Sequence, residues 1–165
     1  MEGQPFRVLF LSQRNSARSM MAEAIANAIG HGQFEAFSAG VRPAAKVDPM
    51  VVELLQHAGL DAPDHPPRHV REFSAPDSPP LDFVFTLSDT VAGEAPPMWP
   101  GHPITAHWRC TDPEMYHDEG ERRMALARAR TELERRLRVF ANLPVKSLDR
   151  ISLQAQVDAL GESSG

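Results

Sequence analysis

Ser12-Gln13-Arg14-Asn15-Ser16-Ala17-Arg18-Ser19 gathers two guanidinium groups, two carboxamides and three hydroxyls within eight residues. The set holds no carboxylate, imidazole or thiol, so it is equipped to bind an anion rather than to move protons. Arg18 offers a planar fork of donors that matches a tetrahedral oxyanion. Asn15 is one of the few non-glycine residues that tolerates a left-handed backbone, which helps a short loop curl its amides inward. Any one of these features also fits an ordinary polar turn with a helix cap. Their coincidence at this spacing favours an anion loop.

A strand and a helix must position that loop. Phe6 to Leu11 (FRVLFL) is a nearly continuous apolar run between polar residues and predicts a buried central strand. Helical character begins around Ser19, with Met21, Ile25 and Ile29 recurring every four residues and Gly30 at the expected C-terminal position. The loop therefore lies on a helix N-terminus, where unpaired N–H groups and the helix dipole attract negative charge.

Further along, Glu35 to Ser38 predicts a second strand ended by Ala39-Gly40. Asp48-Pro49 predicts a capped helix start, followed by an apolar face of Val51, Leu54, Leu55 and Ala58 and closed by Gly59. Residues 61–80 read as an exposed, proline-rich connection. Asp82 to Leu87 predicts a third strand followed by a polar turn at Ser88-Asp89, and Ile104 to His107 a fourth strand. Glu119 to Ala141 predicts a long amphipathic helix with Leu126, Leu133, Leu137 and Phe140 inside. Its arginines, Arg128, Arg130, Arg135 and Arg136 among them, are expected on the solvated side. Ser147 to Leu160 predicts a last helix with Leu148, Ile151, Val157 and Leu160 as apolar contacts, and 161–165 a polar tail. Strands alternating with helices imply an open parallel α/β sheet, with ligands at the carboxyl ends of the strands.

A chain of 165 residues fits a single domain over 1–165. A net charge of -5 argues against bulk nucleic-acid or anionic-membrane partners. No apolar run approaches the length of a membrane span, so a cytoplasmic location is expected. With Cys110 the only cysteine, neither an intramolecular disulfide nor a thiolate metal cage is possible. His65 and His69 flank two prolines and make a poor metal pair, so neither a metal nor another cofactor is expected. Trp99 and Trp108 are expected to be packing groups.

The segment VLFLSQRNSARSMMAEA resembles the phosphate-binding loop of the low-molecular-weight tyrosine phosphatases. It is most similar to their thioredoxin-coupled arsenate reductase branch, whose pattern is a cysteine, five residues, then arginine and serine. The likeness continues through AFSAG at 36–40, LDFVFTLSDTVAGEAPPMWPG at 81–101, His107-Trp108 through Asp112-Pro113, and LPVKSLDRISL at 143–153. It implies a four-stranded parallel sheet flanked by helices, of the low-molecular-weight phosphotyrosine phosphatase type. It also implies an anion site built from Gln13, Arg14, Asn15, Ser16, Ala17, Arg18 and Ser19, with Ser12 at the nucleophile position and Asp112 at the general-acid position.

The departures from that family carry as much information. An active member attacks with a thiolate whose pKa is lowered by the loop and helix. Ser12 carries a hydroxyl there, which is far harder to ionise, and the loop supplies no base. His102 and His107 are the nearest candidates by resemblance, and nothing in the sequence puts either beside Ser12. The two further cysteines of the reductases correspond to Ser88 and Pro96, so the means of passing electrons onward is missing. Three absent thiols fit a natural variant better than a serine trap engineered at the nucleophile alone. Cys110, two residues before Asp112, is a displaced nucleophile, a redox contact or a small buried hydrophobe.

The favoured expectation is a protein that binds phosphate, arsenate or a similar oxyanion, or a phosphorylated protein, with little or no catalysis. The alternatives are an active arsenate reductase or phosphatase working through a serine or Cys110, and a regulatory or structural protein with a vestigial pocket. Oligomeric state is not legible in the sequence.

Overall fold

The computed structural model describes residues 4–94 and 97–162. Strand β1 (Phe6–Ser12) leads into helix α1 (Arg18–Ile29), strand β2 (Phe34–Gly40) and helix α2 (Pro49–His57). A short turn of helix, α3 (Arg71–Ser74), precedes strand β3 (Phe83–Thr86), a second short turn, α4 (Asp89–Ala92), and strand β4 (Ile104–His107). The long helix α5 (Glu119–Ala141) and the final helix α6 (Arg150–Glu162) complete the chain.

The four strands form one parallel sheet in the order β2-β1-β3-β4. The apolar run of β1 is explained by this order, because a central parallel strand is covered on both faces. Val8 and Phe10 join the larger core beneath α1, α5 and α6, while Leu9 and Leu11 join a smaller cluster with Phe73, Leu81 and Val91. The chain passes from β1 to β2 on one side and then to β3 on the other. The carboxyl end of β1 therefore stands at the switch point of the sheet, where such folds leave a crevice.

Several local expectations hold for identifiable reasons. The Asp48 carboxylate accepts a hydrogen bond from the Met50 N–H at 2.9 Å, capping α2 with Pro49 at its first position. Gly59 closes that helix at φ 74°, a conformation costly for other residues. Leu126, Leu133, Leu137 and Phe140 of α5 are all buried.

Other expectations are refined or corrected. Gly30 caps the end of α1 as expected, in a right-handed backbone at φ −69°, and the left-handed turn follows on His31 and Gly32. Of the α5 arginines, Arg136 is buried and donates to the Arg109 carbonyl at 2.6 Å, so that face is not simply solvated. In α6 Val157 is buried as expected and Leu153 is buried beside it, while Ile151 is 84% exposed. The helix also starts later than expected, at Arg150, and extends through Gly161 and Glu162 into the expected tail. Residues 61–80 are not merely an exposed connection: Arg68 and Val70 hydrogen-bond to Gly40, and Phe73 is buried. The polar turn at Ser88-Asp89 is the capped start of α4, with the Ser88 hydroxyl accepting from the Val91 N–H. Pro96 lies outside the described residues. Among the described residues, no helix is long and apolar enough to cross a membrane.

Candidate anion site

Ser12 is the last residue of β1 and Arg18 the first of α1, so the loop between them spans the switch point. Its carbonyls are held from outside by the connection that follows β2. Gln13 O accepts from Arg42 N at 2.8 Å, Arg14 O from Ala44 N at 2.9 Å, and Ser16 O from Asp48 N at 3.0 Å. In a trans peptide the N–H points opposite to the C=O. The amides of Arg14, Asn15 and Ala17 are therefore turned to the inner side of the loop. Asn15 makes the reversal possible at φ 52°, as its residue type foretold. Gly40 makes room for it, since a Cβ there would come within 2.9 Å of both Asn15 N and Gln13 O.

The base of the loop is a closed polar network. Ser12 Oγ lies 2.7 Å from Ser19 Oγ and accepts from the Asn15 N–H at 3.2 Å. The Asn15 carboxamide donates to Ser19 Oγ at 2.8 Å and accepts from the Arg68 N–H at 3.0 Å. Arg68 in turn donates to the Ser38 carbonyl at 3.0 Å and stacks on Phe73. Beneath it the buried Glu23 carboxylate accepts from the Ser38 hydroxyl at 2.7 Å and lies 2.8 Å from His65 Nε2. Sequence reading missed Glu23, Ser38, His65 and Arg68. Only Arg68's nearness to a buried carboxylate marks it, and that nearness spans 45 positions of chain and leaves no local pattern.

Arg18 is buried to 9% exposure and reaches across the strand ends. Its head donates to the carbonyls of Leu87 at 3.3 Å and Cys110 at 3.4 Å, and lies 3.5 Å from Asp112 Oδ1. Asp112 thus comes to the site from 94 positions away in the chain, while also capping the short 3-10 turn Pro113–Met115. Arg14 stands exposed at the rim, 3.7 Å from Glu114. A cavity of about 160 Å³ lies between residues 12–18 and Asp112, Pro113 and Glu114. Gln13, Ser16 and Ala17 also border it.

The other candidates fall elsewhere. Cys110 is buried, and burial pushes its thiol up to about 12 despite the opposing charge of Arg18. Trp108 packs against Phe85 at 3.9 Å between ring centroids. His107 lies against Thr86 and Asp89 on another edge of the sheet. His65 is engaged by Glu23, and His69 accepts from the Arg71 N–H.

What the arrangement can do follows from its groups. Inward amides, a helix N-terminus and a buried guanidinium favour a bound oxyanion. The partners of Ser12 Oγ among the described residues are an N–H and a hydroxyl, neither of which can take its proton.

Known proteins agree with this architecture. A sequence model of the Low molecular weight phosphotyrosine protein phosphatase family matches residues 7–154. An arsenate reductase of Shouchella clausii is 31% identical over 137 residues, covering 81% of this chain and 94% of the relative. The crystal structure of an arsenate reductase from Archaeoglobus fulgidus superposes with a TM-score of 0.63 at 31% identity, covering 82% of this chain and 99% of the other. An arsenate reductase in the phosphate binding state gives a TM-score of 0.65 at 25% identity, covering 82% of this chain and 96% of the other.

Proposed function

The chain belongs to the low molecular weight phosphotyrosine protein phosphatase family, and from that premise we propose that it binds phosphate or arsenate with little or no turnover. The observation that carries the reading is the environment of Ser12 Oγ: it lies at the foot of the loop between the Asn15 N–H and the Ser19 hydroxyl, with no base in contact among the described residues. Nucleophilic serines depend on an adjacent general base. Arg18 and the loop amides hold the oxyanion, Asn15 and Ser19 shape the loop, and Asp112 faces it from the far side. Ser12 stands where the family's nucleophilic cysteine would, and Ser88 in place of a resolving cysteine serves as a helix cap.

Catalysis through Cys110 requires an accessible thiolate, and its burial and raised pKa oppose that reading. Calorimetry with phosphate and arsenate, and an aryl phosphatase assay, test the proposal together. The native chain is expected to bind without releasing phosphate. Arg18→Ala is expected to weaken binding by on the order of ten-fold or more, through loss of charge-assisted hydrogen bonds. Ser12→Cys is expected to acquire aryl phosphatase activity. Turnover of an aryl phosphate by the native chain, or reduction of arsenate with a thiol donor, would overturn the reading. Equal absence of binding in the native and Arg18→Ala chains would leave a vestigial pocket.

A further inference from the structure

Beyond β4 and Trp108, the arm of residues 109–114 is held at each of its first three residues. Arg136 donates to the Arg109 carbonyl at 2.6 Å, and Arg18 to the Cys110 carbonyl at 3.4 Å. The Glu132 carboxylate accepts from both the Thr111 N–H at 2.8 Å and the Thr111 hydroxyl at 3.1 Å. Glu132 and Arg136 stand one helical turn apart on α5, so one face of that helix grips the arm.

The next residues of the arm deliver two carboxylates to the cavity. Asp112 lies 3.5 Å from the Arg18 guanidinium and Glu114 lies 3.7 Å from that of Arg14. Both cations of the loop thus already face an anion of the same chain. Like charges repel over this range, so an incoming oxyanion is opposed by the carboxylates as well as drawn by the guanidiniums.

We propose that residues 109–114 are an internal competitor for the anion site, with Glu114 at its rim and Glu132 as the positioning residue that holds the arm in place. The inference rests on the oxyanion-binding reading above and adds how that binding is restrained. Oxyanion entry displaces Glu114 from Arg14 and Asp112 from Arg18. The competing Glu114 pair is half-exposed, so its restraint is modest and weakens with salt.

The test is calorimetric titration with inorganic phosphate at fixed pH and ionic strength. Glu114→Gln keeps the shape of an exposed side chain and is expected to tighten phosphate binding by roughly two- to five-fold. Glu132→Ala is expected to tighten it as well, by loosening the arm. Glu132→Gln retains an acceptor for the Thr111 amide and is expected to fall between native and alanine. In the Glu132→Ala, Glu114→Gln double variant the combined gain is expected to be smaller than the product of the two single gains, because both act on the same arm. A Glu132 that merely stabilises the fold would lower the melting temperature without tightening phosphate, and that result overturns its positioning role. Unchanged affinity in Glu114→Gln, with the native chain binding, overturns the competitor and leaves the oxyanion reading standing. Absence of phosphate binding in all of these chains overturns both.

Discussion

The Cys110 thiol and the Ser12 hydroxyl show how little a residue type says without its surroundings. Cys110 has the more reactive atom, yet it is enclosed by apolar neighbours that favour the neutral form. Iodoacetamide at about pH 8 is expected to label the native chain on the order of a hundred-fold more slowly than the urea-unfolded chain. Equal rates would show that the thiol is open in solution. Asp89 is a second case, whose carboxylate is held below 3.8 chiefly by the hydrogen bond from His107, with Arg109 assisting. A depressed carboxylate stabilises the fold above its unfolded pKa and loses that contribution as pH falls through the lower, folded value. The side chain is 62% exposed, so solvent screening keeps the effect below about 1 kcal/mol. Melting temperatures between about pH 2 and 5 are expected to fall less steeply for Asp89→Asn than for the native chain. Superimposable curves would mean that the pair contributes nothing.

Among the elements, α6 depends on a close approach that its hydropathy pattern does not announce. A Cβ on Gly161 would collide with the His107 carbonyl and stand 3.1 Å from Trp108 Cδ1. The Trp108 indole N–H also donates to the Val157 carbonyl at 2.9 Å, tying the same helix to the end of β4. Gly161→Ala is expected to push α6 off the sheet and cost about 1–3 kcal/mol, as overpacking does. A urea denaturation midpoint matching the native value would refute the close packing. Strand and helix positions along this chain were largely legible, because apolar periodicity and the Asp48-Pro49 signal are local. The depth of Arg136 was not, since an arginine on a charged face reads as solvated until a partner carbonyl, here that of Arg109, is brought to it.

Across the whole molecule, Phe85, Trp108 and Phe140 join the sheet to α5. Phe85 stacks on Trp108, and Phe140 meets both edge-on at 5.3 and 5.8 Å between centroids. Phe140→Ala is expected to cost about 3–5 kcal/mol through lost burial and the cavity left behind. That is a large share of the roughly 5–15 kcal/mol that holds a domain together. Guanidinium unfolding would measure it, and a loss below about 1 kcal/mol would mean that the stack is not central. The sequence by itself determined the strand, the loop and the helix from Phe6 to Ile29, because each is specified by neighbours a few positions away. It also put the Ser12 hydroxyl at the foot of that loop, the position at which the family resemblance implies a thiol. Only the tertiary structure decided which groups face that hydroxyl and that Cys110 is shut away. It alone brought Glu114 and Glu132 to bear on the loop and set the distance from Asp112, which the resemblance had implied, to Arg18, since Coulombic and hydrogen-bond contacts depend on distance in space and leave no spacing in the chain.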